Sequence, residues 1–169
     1  MFKFNKIPIK LDNKIKCELT ANKRTGFHRY SYPTNIGWLL LDMGFQINWD
    51  KTTSGSLKIL NDSTIIGYRF STGWAKGQKV YFAARFNHGF QSVTIVNDSV
   101  RNGNTAIGNK LKAAVKFTTA SPLEVRVSIS SVNEENALLE LNVSNAATFD
   151  ATAKSAESLW EKELQKIKI

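Results

Sequence analysis

Apolar residues recur at every second position through most of the chain between Lys14 and Ile129. The alternating positions are Ile15, Cys17 and Leu19; Phe45, Ile47 and Trp49; Val80, Phe82, Ala84 and Phe86; Leu111, Ala113, Val115 and Phe117; and Leu123, Val125, Val127 and Ile129. Successive side chains of a β-strand point to opposite faces, so this period predicts strands with one buried face.

Residues that favour turns separate these segments at regular intervals. The turn signals fall at Thr52–Gly55, Asn61-Asp62, Gly73–Gly77, Asn87–Gly89, Asn97-Asp98, Asn102–Asn104 and Ser121-Pro122. About eight or nine short antiparallel strands so spaced are typical of a β-sandwich or barrel. The run Ile36–Leu41, which contains Trp38, does not alternate, and this predicts a strand buried on both faces.

After Ile129 the period changes to that of a helix. Ser131 and Glu134 have the spacing of a capping box, and Ala137, Leu138 and Leu141 follow as one apolar stripe. A second, longer helix is predicted from Phe149, without a stop signal in its last turn. We therefore divide the chain into a mainly β segment, 1–130, and two C-terminal helices, 131–169, and expect the chain to have continued originally.

The chain of 169 residues carries a net charge of +9, which raises nucleic acid as a partner. The excess is local: residues 1–29 hold eight basic residues against Asp12 and Glu18, a net of +6, and the remainder holds fifteen against twelve. Lys10, Lys14 and Lys16 alternate with apolar residues, which favours the solvated face of one strand over a phosphate-binding patch. We therefore expect no nucleic-acid partner. No apolar run is long enough to span a membrane, and no signal peptide is recognisable.

Residues that carry chemistry are scarce. His28 and His88 have no cysteine or carboxylate at ligand spacing, so no metal site is predicted. No carboxylate pair stands out as the acid and base of a glycosidase, and Cys17 is alone. The sequence predicts no catalytic residue.

Two segments are unlike those of a plain sandwich. One strand, Thr25–Pro33, combines His28 and Arg29 with two tyrosines. A second segment, Gly67–Ala75, places Trp74 on a loop bounded by glycines, where it is a candidate platform for a sugar ring, an anchor for another domain or a cap on the core. His28, Arg29 and Trp74 are the candidate substrate-binding or interface residues.

These segments carry a resemblance to a known family. Glu18–Pro33, Gly67–Ala75, Val127–Ala137 and Phe149–Ala151 with Trp160–Leu164 resemble the N-terminal domain of glycoside hydrolase family 92, the calcium-dependent exo-acting α-1,2-mannosidases. The resemblance implies a sandwich of the galactose-mutarotase type, present here as a fragment that packs against a helical catalytic domain and helps to form the sugar cleft. Inverting hydrolysis and calcium would belong to that catalytic domain, and α-mannoside glycans would be the substrates.

The resemblance also implies a secreted, periplasmic or cell-surface location. Because part of the family's sandwich is missing, we expect uncovered apolar surface and self-association. The alternative is a free-standing carbohydrate-binding or protein-interaction module.

Overall fold

The computed structural model describes residues 6–166 as two antiparallel β-sheets followed by two helices, which confirms the predicted mainly β sandwich. The strands are β1 (Ile7–Lys10), β2 (Lys16–Ala21), β3 (Thr25–Ser31), β4 (Ile36–Asp42), β5 (Lys51–Asn61), β6 (Thr64–Thr72), β7 (Gln78–Phe86), β8 (Ser92–Asn97), β9 (Ser99–Arg101), β10 (Thr105–Gly108), β11 (Lys112–Thr118) and β12 (Leu123–Ser130). The helices are α1 (Glu134–Val143) and α2 (Phe149–Leu164), joined by a 3-10 turn at Ser144–Ala146.

The two sheets differ in size. The large sheet has eight strands in the order β1-β2-β3-β12-β7-β6-β5-β10, and the small sheet has four in the order β4-β11-β8-β9. All neighbouring strands are antiparallel. The inner face of the large sheet is the one that packs on the small sheet, and the outer face carries the helices.

The alternating residues of the later strands fill the space between the sheets. Leu123, Val125, Phe86, Val115 and Phe117 are all at most 3% exposed and belong to one core cluster. Phe86, Phe90 and Phe117 pack ring against ring inside it, with centroids 5.1 to 5.8 Å apart. Here the period-two pattern predicted both the strands and the buried face.

Both helices pack on the outer face of the large sheet. Ala137 and Leu141 of α1 pack on Ile66 and Ala83, as the predicted stripe requires. Phe149 and Ala153 of α2 pack on Phe27 of β3.

The caps of the helices differ in part from the predicted ones. The N-cap of α1 is Asn133, whose side chain accepts from the Asn136 amide, so the predicted cap at Ser131 is wrong by two residues. Asparagine caps as well as serine does, and the spacing alone did not distinguish the two. Thr148 caps α2 by accepting from the Ala151 amide.

Two further predictions along the β4–β5 connection are wrong. Phe45, Ile47 and Trp49 were predicted as a strand, but residues 43–50 form a loop in which Asn48 has a φ of 57°. Thr52–Gly55 was predicted as a turn and lies instead within β5, next to an irregularity in its pairing with β6. Phe45, Ile47 and Trp49 are exposed, so their spacing reflects no buried strand face.

The other two corrections concern β4 and the N-terminal lysines. Strand β4 is an edge strand with one exposed face, on which Trp38 is 54% and Leu40 60% exposed, so the predicted burial on both faces is wrong. Lys10 and Lys16 lie opposite each other in a β1–β2 hairpin, and Lys14 is in its turn with a φ of 67°, so they do not belong to one strand.

Candidate functional site

Two exposed tryptophans stack on each other at one end of the sandwich. Trp49 lies on the β4–β5 loop and Trp74 on the β6–β7 loop, with ring centroids 5.9 Å apart and an interplanar angle of 24°. Trp74 is 88% exposed and Trp49 59%. An apolar ring pair this open to water leaves a large face free for a ligand or another domain.

Close contact between the two loops holds the pair together. A Cβ built at Gly73 would lie 2.8 Å from the Cα of Asp50 and 3.3 Å from the carbonyl oxygen of Trp49. Since the obstacle is backbone, no larger residue fits without moving a loop. Gly73 therefore sets how near Trp74 comes to Trp49.

An ion pair anchors the β4–β5 loop to the large sheet. Arg69 of β6 donates from Nη2 to Asp50 Oδ2 at 2.5 Å and to the Phe45 carbonyl oxygen at 3.2 Å. The Arg69 hydrogen bond lowers the pKa of Asp50, so this carboxylate stays ionised and engaged. Asp50 is thus a positioning group and not a free acid or base.

We call Phe45, Ile47, Trp49 and Trp74 the tryptophan surface. All four are exposed, from 59% to 88%. Flat aromatic faces of this kind bind the C–H faces of pyranose rings or apolar side chains of a protein partner. The surface offers contact area without a nucleophile, so it suits recognition and not bond cleavage.

His28 lies elsewhere, on the inner face of the large sheet. Its register partners are Leu19 of β2 and Val125 of β12, and its Nδ1 is 2.8 Å from the Tyr30 hydroxyl. Burial lowers the pKa of His28 below its ordinary value. The half-buried ring is therefore favoured in the neutral state.

Arg29 points to the outer face, where it joins the sheet to α2. Its guanidinium donates from both terminal nitrogens to Asp150, at 2.8 and 3.2 Å, and from Nε to Glu124 at 3.0 Å. Glu18 lies 3.7 Å away. These carboxylates belong to the domain itself, so the contacts of Arg29 here are intradomain, and a role at the sugar cleft stays a prediction.

The three predicted site residues do not meet in one place. His28 pairs with Val125 of β12, and Val125 pairs with Phe86, the last residue of β7. Trp74 lies before Gln78, the first residue of β7. At about 3.3 Å per residue, the eight steps along β7 separate these positions by about 26 Å. His28 and Trp74 cannot contact the same monosaccharide.

Sequence reasoning missed Trp49 as the partner of Trp74, because the spacing of Phe45, Ile47 and Trp49 was interpreted as a strand. The signal that would have found it is the Asn48-Trp49-Asp50 sequence, in which polar residues that favour turns flank the tryptophan.

A calcium or transition-metal site needs several oxygen, nitrogen or sulfur ligands that converge. Within residues 6–166 no three His, Cys, Asp or Glu side chains form such a group. The described residues therefore do not fit a calcium ion, which the resemblance assigns to the catalytic domain and not to this chain. No helix within the same residues is long and apolar enough to cross a bilayer.

Comparison with solved structures identifies similar folds. An α-mannosidase of family GH92 from Bacteroides thetaiotaomicron, solved in complex with mannoimidazole, is 30% identical with a TM-score of 0.89, and the match covers 96% of this chain and 23% of that chain. An inverting GH92 mannosidase from the same species is 17% identical with a TM-score of 0.81, covering 96% and 22%, which shows the fold alone. The chain thus spans about a quarter of the length of these relatives.

A comparison with curated proteins gives no match. The family model of the glycosyl hydrolase family 92 N-terminal domain matches residues 7–130, which begin with β1 and end with β12. This confirms the resemblance predicted from the four sequence segments. Since the matched residues include all twelve described strands, the chain belongs to glycosyl hydrolase family 92, of which it carries the N-terminal domain.

Proposed function

We propose that this domain is the non-catalytic β-sandwich of an α-mannosidase, which packs against a helical catalytic domain and borders its glycan cleft. The observation that carries the proposal is the stacked pair of Trp49 and Trp74, exposed on two loops that Gly73 and Arg69 hold together. A relative with 30% identity is an α-mannosidase that binds mannoimidazole, which supports mannosides as the ligand class.

Hydrolysis would belong to the catalytic domain and not to this chain. Of the described carboxylates, Asp50 is engaged with Arg69, and Asp150, Glu124 and Glu18 surround Arg29. A glycosidase needs a carboxylic acid and a second carboxylate placed on either side of the scissile bond. We expect the chain alone to release no mannose from an α-1,2-linked disaccharide, with or without calcium.

The same proposal implies where calcium binds and where the enzyme is located. The ion would be bound by the catalytic domain. An enzyme that acts on extracellular glycans would be secreted, periplasmic or at the cell surface, and fractionation of the source cells with an antibody against the domain tests this.

The decisive experiment compares tryptophan variants in the full-length enzyme. Trp49→Ala with Trp74→Ala should lower kcat/KM at least tenfold per folded molecule, because the sugar or the catalytic domain loses its contact surface. Trp160→Ala on α2 is the control, being an equally large truncation away from this surface. If the double variant retains full activity, the assignment of the tryptophan surface is wrong.

The second candidate, a free-standing carbohydrate-binding module, is favoured only by the openness of the same surface. It predicts that the isolated chain binds α-mannosides by itself, with quenching of tryptophan fluorescence that Trp74→Ala removes. Under the domain proposal, the isolated chain lacks most of the cleft and binds at least tenfold more weakly than the full-length enzyme.

A further inference from the structure

Two neighbouring rows of side chains on the outer face of the large sheet carry charge in opposite ways. In the first row, Arg29 of β3 lies between Glu18 of β2 and Glu124 of β12. In the second row, two residues further along the strands, Arg126 of β12 lies directly opposite Arg85 of β7. Cross-strand neighbours of opposite charge stabilise a sheet, whereas like charges placed opposite each other destabilise it. The second row therefore keeps an unfavourable pair of arginines.

Carboxylates of the described residues do not compensate this pair. Three of them surround Arg29. Within residues 6–166 no carboxylate forms an ion pair with Arg85 or Arg126. Glu124 lies on the same face of β12, two residues before Arg126, but its Oε1 accepts from Arg29 Nε at 3.0 Å. The acidic side chains are thus gathered on one arginine, and the other two have none.

The partners that the two arginines do have are neutral and use only part of their donors. Arg85 donates from Nη1 to Asn145 at 3.4 Å and from Nη2 to Asn142 at 2.9 Å. Arg126 donates from Nη1 alone, to Ser144 and Asn145, with the shortest bond of 2.7 Å to the Asn145 carbonyl oxygen. Each guanidinium has five N–H donors on three nitrogens. Nε and Nη2 of Arg126 and Nε of Arg85 are thus unused by residues 6–166.

These contacts fix the C-terminal end of α1, which explains part of the arrangement. The C-terminal end of a helix carries a partial negative charge of about half an elementary charge, so it favours nearby arginines. Two guanidiniums together carry two positive charges. The end of α1 therefore offsets only about a quarter of the charge of the pair, and support of the helix does not account for the unused donors.

A small cavity opens beside the two guanidiniums. Its volume is about 150 Å³, and its lining consists of Arg85, Phe86, Asn87, Glu124, Arg126 and Asn145. A water molecule in the liquid takes about 30 Å³, so the cavity has room for a small polyatomic ion with part of its water. The cavity is lined by both arginines and by one acidic side chain, which is already bonded to Arg29.

The number of charges and donors selects the kind of anion. A phosphate group carries about −1.5 to −2 charges at pH 7 and three strong acceptor oxygens. A carboxylate carries one charge and has two oxygens. Two guanidiniums without a carboxylate, with three unused nitrogens, match the phosphate in both respects. Arginine also binds phosphate with parallel N–H donors, which gives strong, directed hydrogen bonds.

We propose that Arg85 and Arg126 bind a phosphate group in this cavity. Their bonds to Asn142 and Asn145 hold the guanidiniums in place, and the unused nitrogens donate to the phosphate oxygens. Arg85 is the last residue but one of β7, at the opposite end of that strand from Trp74, so the site is separate from the tryptophan surface. The inference goes beyond the mannosidase proposal and does not depend on it.

The test is calorimetric titration of the chain with inorganic phosphate at constant ionic strength. The unaltered chain should bind one phosphate. Arg85→Gln and Arg126→Gln should each weaken binding at least tenfold, because each removes a charge and the unused donors. Arg101→Gln on β9 of the small sheet removes the same charge elsewhere, and its affinity should stay within twofold of the unaltered chain.

Two further titrations identify the source of the anion. Tighter binding of glucose 6-phosphate than of inorganic phosphate would support the site and assign it to a phosphorylated sugar, and the reverse order would support it and assign it to free phosphate. Acetate should bind at least tenfold more weakly than either. Acetate that binds as tightly as phosphate would overturn the proposal, because the pair would then accept a carboxylate, such as one from another domain.

Nuclear magnetic resonance of the unaltered chain keeps the test valid if Arg126→Gln loosens α1. Added phosphate should shift the Nε–Hε signals of Arg85 and Arg126 and leave the signal of Arg69, which is bonded to Asp50, in place. Absence of both heat and signal shifts at millimolar phosphate overturns the proposal. A loss of affinity in Arg101→Gln equal to that in the two site variants does so as well, since binding would then follow net charge alone.

Discussion

The guanidinium of Arg29 lies 4.1 Å from the centroid of the Phe149 ring, and its two terminal nitrogens donate hydrogen bonds to Asp150, the residue that follows Phe149. Arg29 of β3 thus contacts the first turn of α2 at two places, the ring of Phe149 and the carboxylate of Asp150. Asp150 also sits where the N-terminal end of the helix favours negative charge. Helix α2 is docked mainly at this end.

Replacing Arg29 should therefore loosen α2. Arg29→Lys keeps the charge but loses the planar fork, and we expect a loss of about 2 kcal/mol in the free energy of unfolding, since the site is partly buried. Urea denaturation measures this value, and Lys154→Ala on the exposed face of α2 should change it by less than about 0.5 kcal/mol. Equal stability of the two variants would contradict the role of Arg29.

Acid should weaken the same contact. The Arg29 hydrogen bond lowers the pKa of Asp150 below its ordinary value. The contribution of Asp150 is therefore complete above the unfolded-state pKa and is lost as the pH falls through the lower, folded-state pKa. Hydrogen exchange should show that acid loosens the first turn of α2 in the unaltered chain, whereas in Asp150→Asn, which has no carboxylate to protonate, this turn should already be loosened at neutral pH.

His28 should add a separate dependence at milder pH. Burial lowers its pKa from the ordinary value of 6.5, so the unfolded chain takes up a proton before the folded one does. Stability should be full above about pH 6.5 and decline as the pH falls from there to the folded-state pKa. Thermal melts of His28→Gln should lack this decline, whereas His88→Gln, which leaves His28 in place, should keep it.

Truncation of Trp74 should leave the domain stable. Because the ring is 88% exposed, Trp74→Ala should cost less than about 1 kcal/mol. Phe117→Ala, at 0% exposure in the core, should cost about 3 to 5 kcal/mol and is the matched aromatic truncation. A large loss for Trp74→Ala in urea denaturation would mean that the ring supports the fold, contrary to its position here.

Gly73→Ala should separate the two tryptophans. Its Cβ would come within 2.8 Å of Asp50 Cα, so one of the loops must move. The coupled circular-dichroism signal of the stacked indoles should diminish, while the free energy of unfolding falls by about 1 kcal/mol or more. Gly89→Ala is the control, because its Cβ would meet nothing nearer than 3.8 Å.

The sequence predicted the parts of the fold in which burial and period agree. In β11 the alternating residues are the buried ones, and in β7 Phe82, Ala84 and Phe86 are buried although Val80 is exposed. In α1 the predicted stripe meets the sheet. Turn residues between β5 and β6 and between β8 and β9 were also recognised, because Asn and Asp form their turns through local hydrogen bonds.

The sequence misled where apolar residues are exposed. Phe45, Ile47 and Trp49 alternate like a strand but form an open loop, and β4 carries no polar side chain before Asp42 although one of its faces is uncovered. An apolar period predicts a buried face only where other elements of the fold cover those residues, and many apolar residues stay exposed on a folded protein. The tryptophan surface and the β4 edge escaped prediction for this same reason.

The pairing of β3 with β12 has a consequence for how the chain folds. Leu123 pairs with Tyr30 and Ser128 with Thr25, contacts between residues 93 and 103 positions apart. Until β12 has been synthesised, β1–β3 and the β5–β7 meander with β10 are two separate halves of the large sheet. Closure of such a long loop is slow, so the nascent domain must wait, with both halves exposed, until β12 leaves the ribosome and joins them.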